Sequence, residues 1–333
     1  MNKTQNLSEG VPVAIASTGE VFQSGNFGDL LNTLISRKLD EKEREELSLI
    51  ASNYESALTE ARKNDLQLSG AYIVEAEKAH SQFAPQSLTA QLLNLHALPV
   101  KAYFHYKKYD YQLAEQYLIE SITGSSSLIR QGFFMVECHR VQQLHNLARM
   151  YFKRKQFEHA GWIICEALSY LAQEKIPGIA SNWSVDAMRR TPLSLRSDML
   201  LQLALETAGE LLPPTQQQIT LHHCTFGYSL DLAPGLEACE ALSRWVKLKS
   251  MLSSGMPDES FISSAVDFIT STSAKFDILK LALVVDMTDI LRKTFEYDAT
   301  VYEYLVSYGK RLRVSQKHKL ACFAYIEPLR FAP

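Results

Sequence analysis

The sequence predicts an all-α protein. Antiparallel helix hairpins stack as a solenoid and are followed by a less regular helical C-terminal half. Three observations predict it. Two stretches, Ala102 to Ala114 and Ala148 to Ala160, follow one plan: a small residue, an aromatic and basic helix end, an aromatic, then an alanine starting a second helix. Apolar residues recur at spacings of three and four along most of the chain. Only 14 glycines and 11 prolines punctuate 333 residues, low for a sandwich or barrel that turns about every ten residues. Leu and Ala are abundant, and these are helix formers.

Residues 1–28 read as an irregular or partly extended N-terminal arm. Gly10, Gly19, Gly25 and Gly28 fall among Ser and Thr, and Phe22 and Phe27 are placed to pin the arm to the body. Asp29 is positioned to cap a helix opening at Leu30-Leu31. Residues 29–175 then read as helical hairpins. Leu47, Ile50, Ala51, Tyr54, Ala57, Leu58 and Ala61 form one helical stripe. Ala71, Val74, Ala79 and Phe83 mark the next helix, stopped near Pro85. Ser87 opens another through Leu88, Leu92, Leu95 and His96, which Pro99 should kink or restart. The first matched stretch ends at the loop signal Thr123-Gly124-Ser125-Ser126-Ser127.

The second matched hairpin runs from about Phe133 to Gln173. Ile176 to Pro192, with Pro177-Gly178, breaks the pattern and divides the halves. Residues 176–333 form a C-terminal helical region with helices at Ser194–Leu212, Leu230–Leu252, from Pro257, Phe276–Phe295 and Thr300–Arg313. Leu320–Ile326 closes the chain as a short helix. Gln218–Leu230 has the nearest approach to a period-two pattern and is read as helix.

The formal charge is −3, so no whole-molecule field draws the chain to nucleic acid or to an acidic membrane. Asp40 to Glu46 reads as a solvated helix face with i,i+4 pairs. Arg149, Lys153, Arg154 and Lys155 form one cationic cluster, and Lys310, Arg311, Arg313, Lys317 and Lys319 another. Five scattered cysteines with no C-x-x-C pair read as free thiols in a reducing compartment. The apolar run 11–16 is short and carries Pro12, a poor signal sequence. Leu279–Val285 is the most apolar stretch, and Lys280 and Asp286 interrupt or border it, so no window suits a membrane span. The expectation is a soluble, cytoplasmic protein without membrane insertion.

The matched stretches resemble the tetratricopeptide repeat, in which helix A packs on helix B in about 34 residues. In the second stretch Leu144, Ala148, Tyr151, Phe157, Ala160, Ile164 and Ala167 fall in step with that pattern. In the first, Ala102, Tyr111, Ala114 and Leu118 fit, while His105 and Ser121 replace an aromatic and an alanine. A weaker echo sits at Tyr54 to Ala61. Ala114 and Ala160 are 46 residues apart, so the hairpins are not a tight tandem array. The resemblance implies close helix packing through small residues and a concave groove lined by A helices. Carried onto this chain, the groove positions are Tyr103, Tyr106 and Lys107 in the first hairpin. In the second they are Gln142, His145, Asn146, Arg149, Phe152 and Lys153. A basic, amide-bearing groove suits an acidic peptide or a free C-terminal carboxylate.

The search for chemistry assigns no catalytic residue, metal or cofactor. Glu77-Lys78-Ala79-His80 has the Glu-x-x-His spacing of di-iron bundles but lacks a second copy. His222-His223-Cys224 are adjacent and point apart, and Cys138-His139 with His145 is similar. No Gly-x-Ser-x-Gly or Gly-x-x-x-x-Gly-Lys occurs. Asp286-Met287-Thr288-Asp289 echoes a magnesium-binding pattern with one aspartate missing. A helix-turn-helix within 29–70 is opposed by the acidic run at Glu41–Glu46. The sequence therefore points to a non-enzymatic helical-repeat scaffold for a peptide or protein partner. A peptide-responsive regulator, and an all-helical enzyme or accessory subunit, stand as alternatives.

Overall fold

The computed structural model describes residues 16–17, 20–21, 27–212, 237–253, 259–293 and 299–326. A minimal antiparallel ladder opens it, β1 (Ala16–Ser17) against β2 (Glu20–Val21), with Ala16 opposite Val21. The helices are α1 (Phe27–Ser36), α2 (Glu41–Lys63), α3 (Leu66–His80), α4 (Leu88–Lys107), α5 (Tyr111–Gly124), α6 (Ser126–Arg130), α7 (Val136–Lys153) and α8 (Phe157–Gln173). They continue as α9 (Val185–Arg190), α10 (Leu193–Glu210), α11 (Glu237–Ser253), α12 (Glu259–Ser271), α13 (Asp277–Lys293), α14 (Ala299–Arg311) and α15 (Gln316–Ile326). Apart from that ladder the described part is built of helices, as the periodicity predicts. No helix among the described residues is long and apolar enough to cross a membrane.

Two compact units divide the chain. One takes the described residues to Met150 together with Glu174–Met199. The other takes Tyr151–Gln173 and the described residues from Leu200 on.

In the first unit, capping chemistry sets the helix starts. Asp40 and Glu43 form a reciprocal box: Asp40 Oδ1 accepts from Glu43 N–H at 2.8 Å, and Glu43 Oε2 accepts from Asp40 N–H at 3.1 Å. Asp65, Ser87 and Asp110 accept from Leu68, Ala90 and Leu113 N–H. α2 packs on α3 and on α4, and α4 packs on α5. Leu47, Ile50, Tyr54, Ala57 and Ala61 form the buried face of α2, matching the expected stripe.

Three differences from the sequence reading have simple causes. α1 begins at Phe27, so Asp29 lies inside it and caps nothing. α4 continues through Pro99, so no new helix begins there, and Leu95, Leu98, Val100 and Ala102 are buried around it. α3 buries Ser69, Ile73 and Ala76, leaving Val74 66% exposed. The small Ser69 and Ala76 let that side of α3 approach its neighbours, and Ile73 fills the space between them.

One turn recurs along the chain. Asn64, Tyr109 and Lys155 are left-handed, with φ of 70°, 62° and 58°. In each case the next amide donates back five residues: Asp65 N–H to Glu60 O at 2.9 Å, Asp110 N–H to His105 O at 2.9 Å, and Gln156 N–H to Tyr151 O at 3.0 Å. Four residues beyond each donor sits a small buried residue: Ser69, Ala114, Ala160. Ile73-x-x-Ala76, Leu118-x-x-Ser121 and Ile164-x-x-Ala167 follow in the same register, all buried. On the helix before each turn, Ala57, Ala102 and Ala148 are equivalent and buried, 45 and 46 residues apart.

The first unit also holds a buried ion pair. Arg140 and Glu137 are fully buried, 2.8 Å apart. Arg140 donates to Ile122 O, Ser181 O and Asn182 O and lies 4.0 Å over the Trp183 ring. Glu137 accepts from Ser184 N–H. The segment 179–184, with left-handed Ala180 and Asn182, is thus tied to α5 and α7.

In the second unit α13 is central. Leu279 and Leu281–Val285 are wholly buried, and α12, α14 and α15 pack on α13. The most apolar stretch of the chain is therefore an inner helix. α14 approaches closely at Gly309, where a Cβ would meet Phe323 at 3.1 Å and Val284 at 3.3 Å. Buried charges on α13 are paired, Asp286 with Lys249 and Asp277 with Lys280.

Candidate peptide-binding surface

The C-terminal turns of α4 and the start of α5 gather tyrosines. Tyr103, Tyr106 and Lys107 lie on α4, Tyr109 in the left-handed turn, and Tyr111 at the first residue of α5. Their rings form a chain. Tyr103 and Tyr106 centroids are 5.9 Å apart, Tyr106 and Tyr111 6.0 Å, Tyr111 and Tyr109 6.4 Å. The first pair is tilted and the others are edge-on, favourable aromatic geometries. Tyr109 is 79% exposed; the other three are partly buried.

The turn that displays them is built locally. Asp110 caps α5 and sets its Oδ2 3.4 Å from His105 Nδ1. The His105 ring lies against Phe104 and Tyr117. Lys101 lies 4.6 Å over the Tyr117 ring and pairs with Glu77 at 2.9 Å, and Lys108 lies over Phe104. Lys107 has no ion pair among the described residues.

Of the nine residues the sequence singled out, Tyr103, Tyr106 and Lys107 are therefore brought together. The six on α7 separate into two sets. Gln142, Asn146, Arg149 and Lys153 fall at i, i+4, i+7 and i+11, one helical stripe. Gln142 and Asn146 are partly buried, and Arg149 and Lys153 are exposed. Asn146 donates to Gln143 Oε1 at 3.0 Å, and Lys153 pairs with Glu210 at 3.0 Å. His145 and Phe152 lie to one flank of that stripe. They are buried, at 0% and 5% exposure, so both are corrected from surface to interior positions. The reason is that α7 buries more than one side: Leu144, Leu147 and Ala148 are also inside.

Tyr109 escapes the sequence reading as a surface residue, and Tyr111 enters it only as a match to the repeat pattern. The one sequence signal for Tyr109 is the residue after it, Asp110, a capping carboxylate. A second polar set, in which the sequence reading weighed His139 only for metal, lies within the same unit. His139 Nε2 sits 3.3 Å from Ser121 Oγ, and His96 Nδ1 is 3.9 Å from Glu55. Burial, then the neighbouring His96, pushes the His139 imidazolium down to about 3, and burial lowers His96.

The residues considered for metal are used otherwise. Glu77 pairs with Lys101. His80 bridges Tyr54 Oη and Ala90 O, both at 3.2 Å, and burial pushes the Tyr54 phenol above its usual range. Cys138 is buried beside Thr191 Oγ1, its thiol pushed up to about 12. Asp286 faces Lys249. His222, His223 and Cys224 lie outside the described residues. Among those described, no three His, Cys, Asp or Glu converge as metal ligands.

No protein-family model matches the chain, no curated protein matches it, and no solved structure matches it.

Proposed function

We propose that the chain is a tetratricopeptide-like helical-repeat scaffold that binds a peptide segment of a protein partner, with the tyrosine chain of the α4–α5 hairpin as its contact surface. The recurring left-handed turn with its small buried residue carries the reading. Three such turns at a spacing of 45 and 46 residues extend the two matched stretches to a third, at Ala57 to Ala76. Spacing longer than 34 residues leaves room for the lengthened helices and for α6. Small residues at Ala57, Ser69, Ala102 and Ala114 let helix pairs approach and leave long side chains for the outside.

The tyrosine chain supports a binding role. Tyrosine gives large contact area at low entropic cost and is enriched in interface hot spots. Lys107 supplies a cation beside the rings, suited to a carboxylate of the ligand. Tyr109 is held in a left-handed conformation that asparagine or glycine would adopt more easily, and strain of this kind concentrates at functional positions. The test compares wild type with Tyr106→Ala/Tyr109→Ala in quantitative affinity purification from native extract, with circular dichroism as the folding control. A protein recovered stoichiometrically with wild type and lost from a folded variant supports the reading. Identical recovery from both overturns it.

A further inference from the structure

Five cations fall between Lys310 and Lys319, and no carboxylate occurs from Tyr304 to Ile326. These residues form the end of α14, the turn and the start of α15. The turn is compact: Lys319 Nζ donates to Lys310 O at 2.8 Å, and the Lys310 ammonium lies 5.4 Å over the Phe323 ring. Arg311, Arg313 and Lys317 are exposed. The carboxylate that reaches the turn, Asp277, is buried and uses both oxygens, one toward Lys280 Nζ at 3.3 Å and the other for Arg313 N–H at 2.7 Å. Neither guanidinium, Arg311 or Arg313, has a carboxylate partner among the described residues. Two large apolar side chains flank the cations. Tyr304 lies two turns before Arg311 on the same side of α14, and Leu320 one turn after Lys317 on α15; each is 63% exposed.

We propose that the α14–α15 turn is a docking surface for an acidic protein segment that carries apolar side chains. Charge complementarity selects the acidic component, and Tyr304 and Leu320 supply seats for the apolar one. A nucleic acid fits less well. Its binding rests on releasing counterions along an extended cationic track, and this chain has a formal charge of −3. An anionic lipid surface also fits less well, because Cys322, Phe323 and Ile326 are buried and α15 exposes a single large apolar side chain, Leu320, too little for an inserting face.

The probe is a fluorescent 12-residue peptide of alternating Glu and Leu, titrated by anisotropy into the full chain at low and moderate salt. The same titration is run with a single-stranded oligonucleotide and with vesicles containing phosphatidylserine. The variants are Arg311→Glu/Arg313→Glu and, as charge-preserving control, Arg311→Lys/Arg313→Lys, each checked by thermal melting. The expected result is salt-sensitive peptide binding, weakened at least about fivefold by the double reversal. It is retained by the lysine control and weakened again by Tyr304→Ser/Leu320→Ser. Peptide affinity unchanged by the double reversal overturns the proposal. So does preferential binding of the oligonucleotide or of the vesicles, or no binding of the peptide at all.

Discussion

The hydroxyl of Ser69 donates to the carbonyl oxygen of Ala57 at 2.8 Å, fully buried where α3 packs on α2. Ser69 stands where Ala114 and Ala160 stand in the later turns, so one position tolerates only a small side chain. Ser69→Ala loses one hydrogen bond to an acceptor within a helix and should reduce stability by about 0.5–1 kcal/mol. Ser69→Leu overpacks the approach and should cost about 1–3 kcal/mol. Urea unfolding measures both, and equal effects would mean that the helices do not meet there.

The buried pair at Arg140 and Glu137 makes a sharper prediction. Arg140→Met strands the Glu137 charge and three carbonyls, and should destabilise by about 3–5 kcal/mol. Adding Glu137→Gln removes the stranded charge, so the double variant should be more stable than Arg140→Met alone. A double variant worse than the single would show that the pair is not what holds segment 179–184.

Lys249 and Asp286 should behave likewise in the second unit, being 4% and 3% exposed. Lys249→Met should cost several kcal/mol, and Lys249→Met/Asp286→Leu should recover much of the loss. Differential scanning calorimetry reads the order of the three melting temperatures.

Tyr109 in the left-handed region predicts a gain. Tyr109→Asn suits φ of 62° and should raise stability by up to about 0.5 kcal/mol, while Asn64→Val should lower it by about 1 kcal/mol. If Tyr109→Asn also weakens partner recovery, stability and binding are opposed at that residue.

Acid should loosen the first unit through His139. Its folded pKa lies near 3, below the usual 6.5. Above about pH 6.5 the imidazole is neutral folded or unfolded and contributes nothing. Between 6.5 and 3 the unfolded chain binds the proton and the folded chain does not, so stability falls as pH falls through that window. His80 and His96 shift in the same direction. Melting temperature against pH should therefore decline below pH 6.5, less steeply in His139→Gln; parallel profiles would rule the residue out.

Periodicity made the helices legible, because a stripe every 3.6 residues marks a buried face wherever apolar residues form it. It read α2 nearly residue by residue. It misread α3, where Ser69 and Ala76 are chosen for size and Val74 is left outside. It also missed the left-handed turns, since Tyr109 and Lys155 carry no turn signature of their own; each is identified by the amide after it reaching back five residues. At the candidate surface, Tyr103, Tyr106 and Lys107 come from the repeat resemblance, which puts all three on α4. The same resemblance misplaces His145 and Phe152, because spacing along one helix does not say how many sides of it will be covered.

By itself the sequence determined the all-helical class and the small residues at 102, 114, 148 and 160, because local backbone preference and side-chain volume are properties of each residue. Tertiary structure alone decided which charges go inside, as with Arg140 over Trp183 and Lys249 on Asp286. It also decided which aromatics stay outside, as with Tyr109. Burial of a charge or a ring depends on groups far away in the chain that arrive to satisfy or cover it, and no window of residues contains that information.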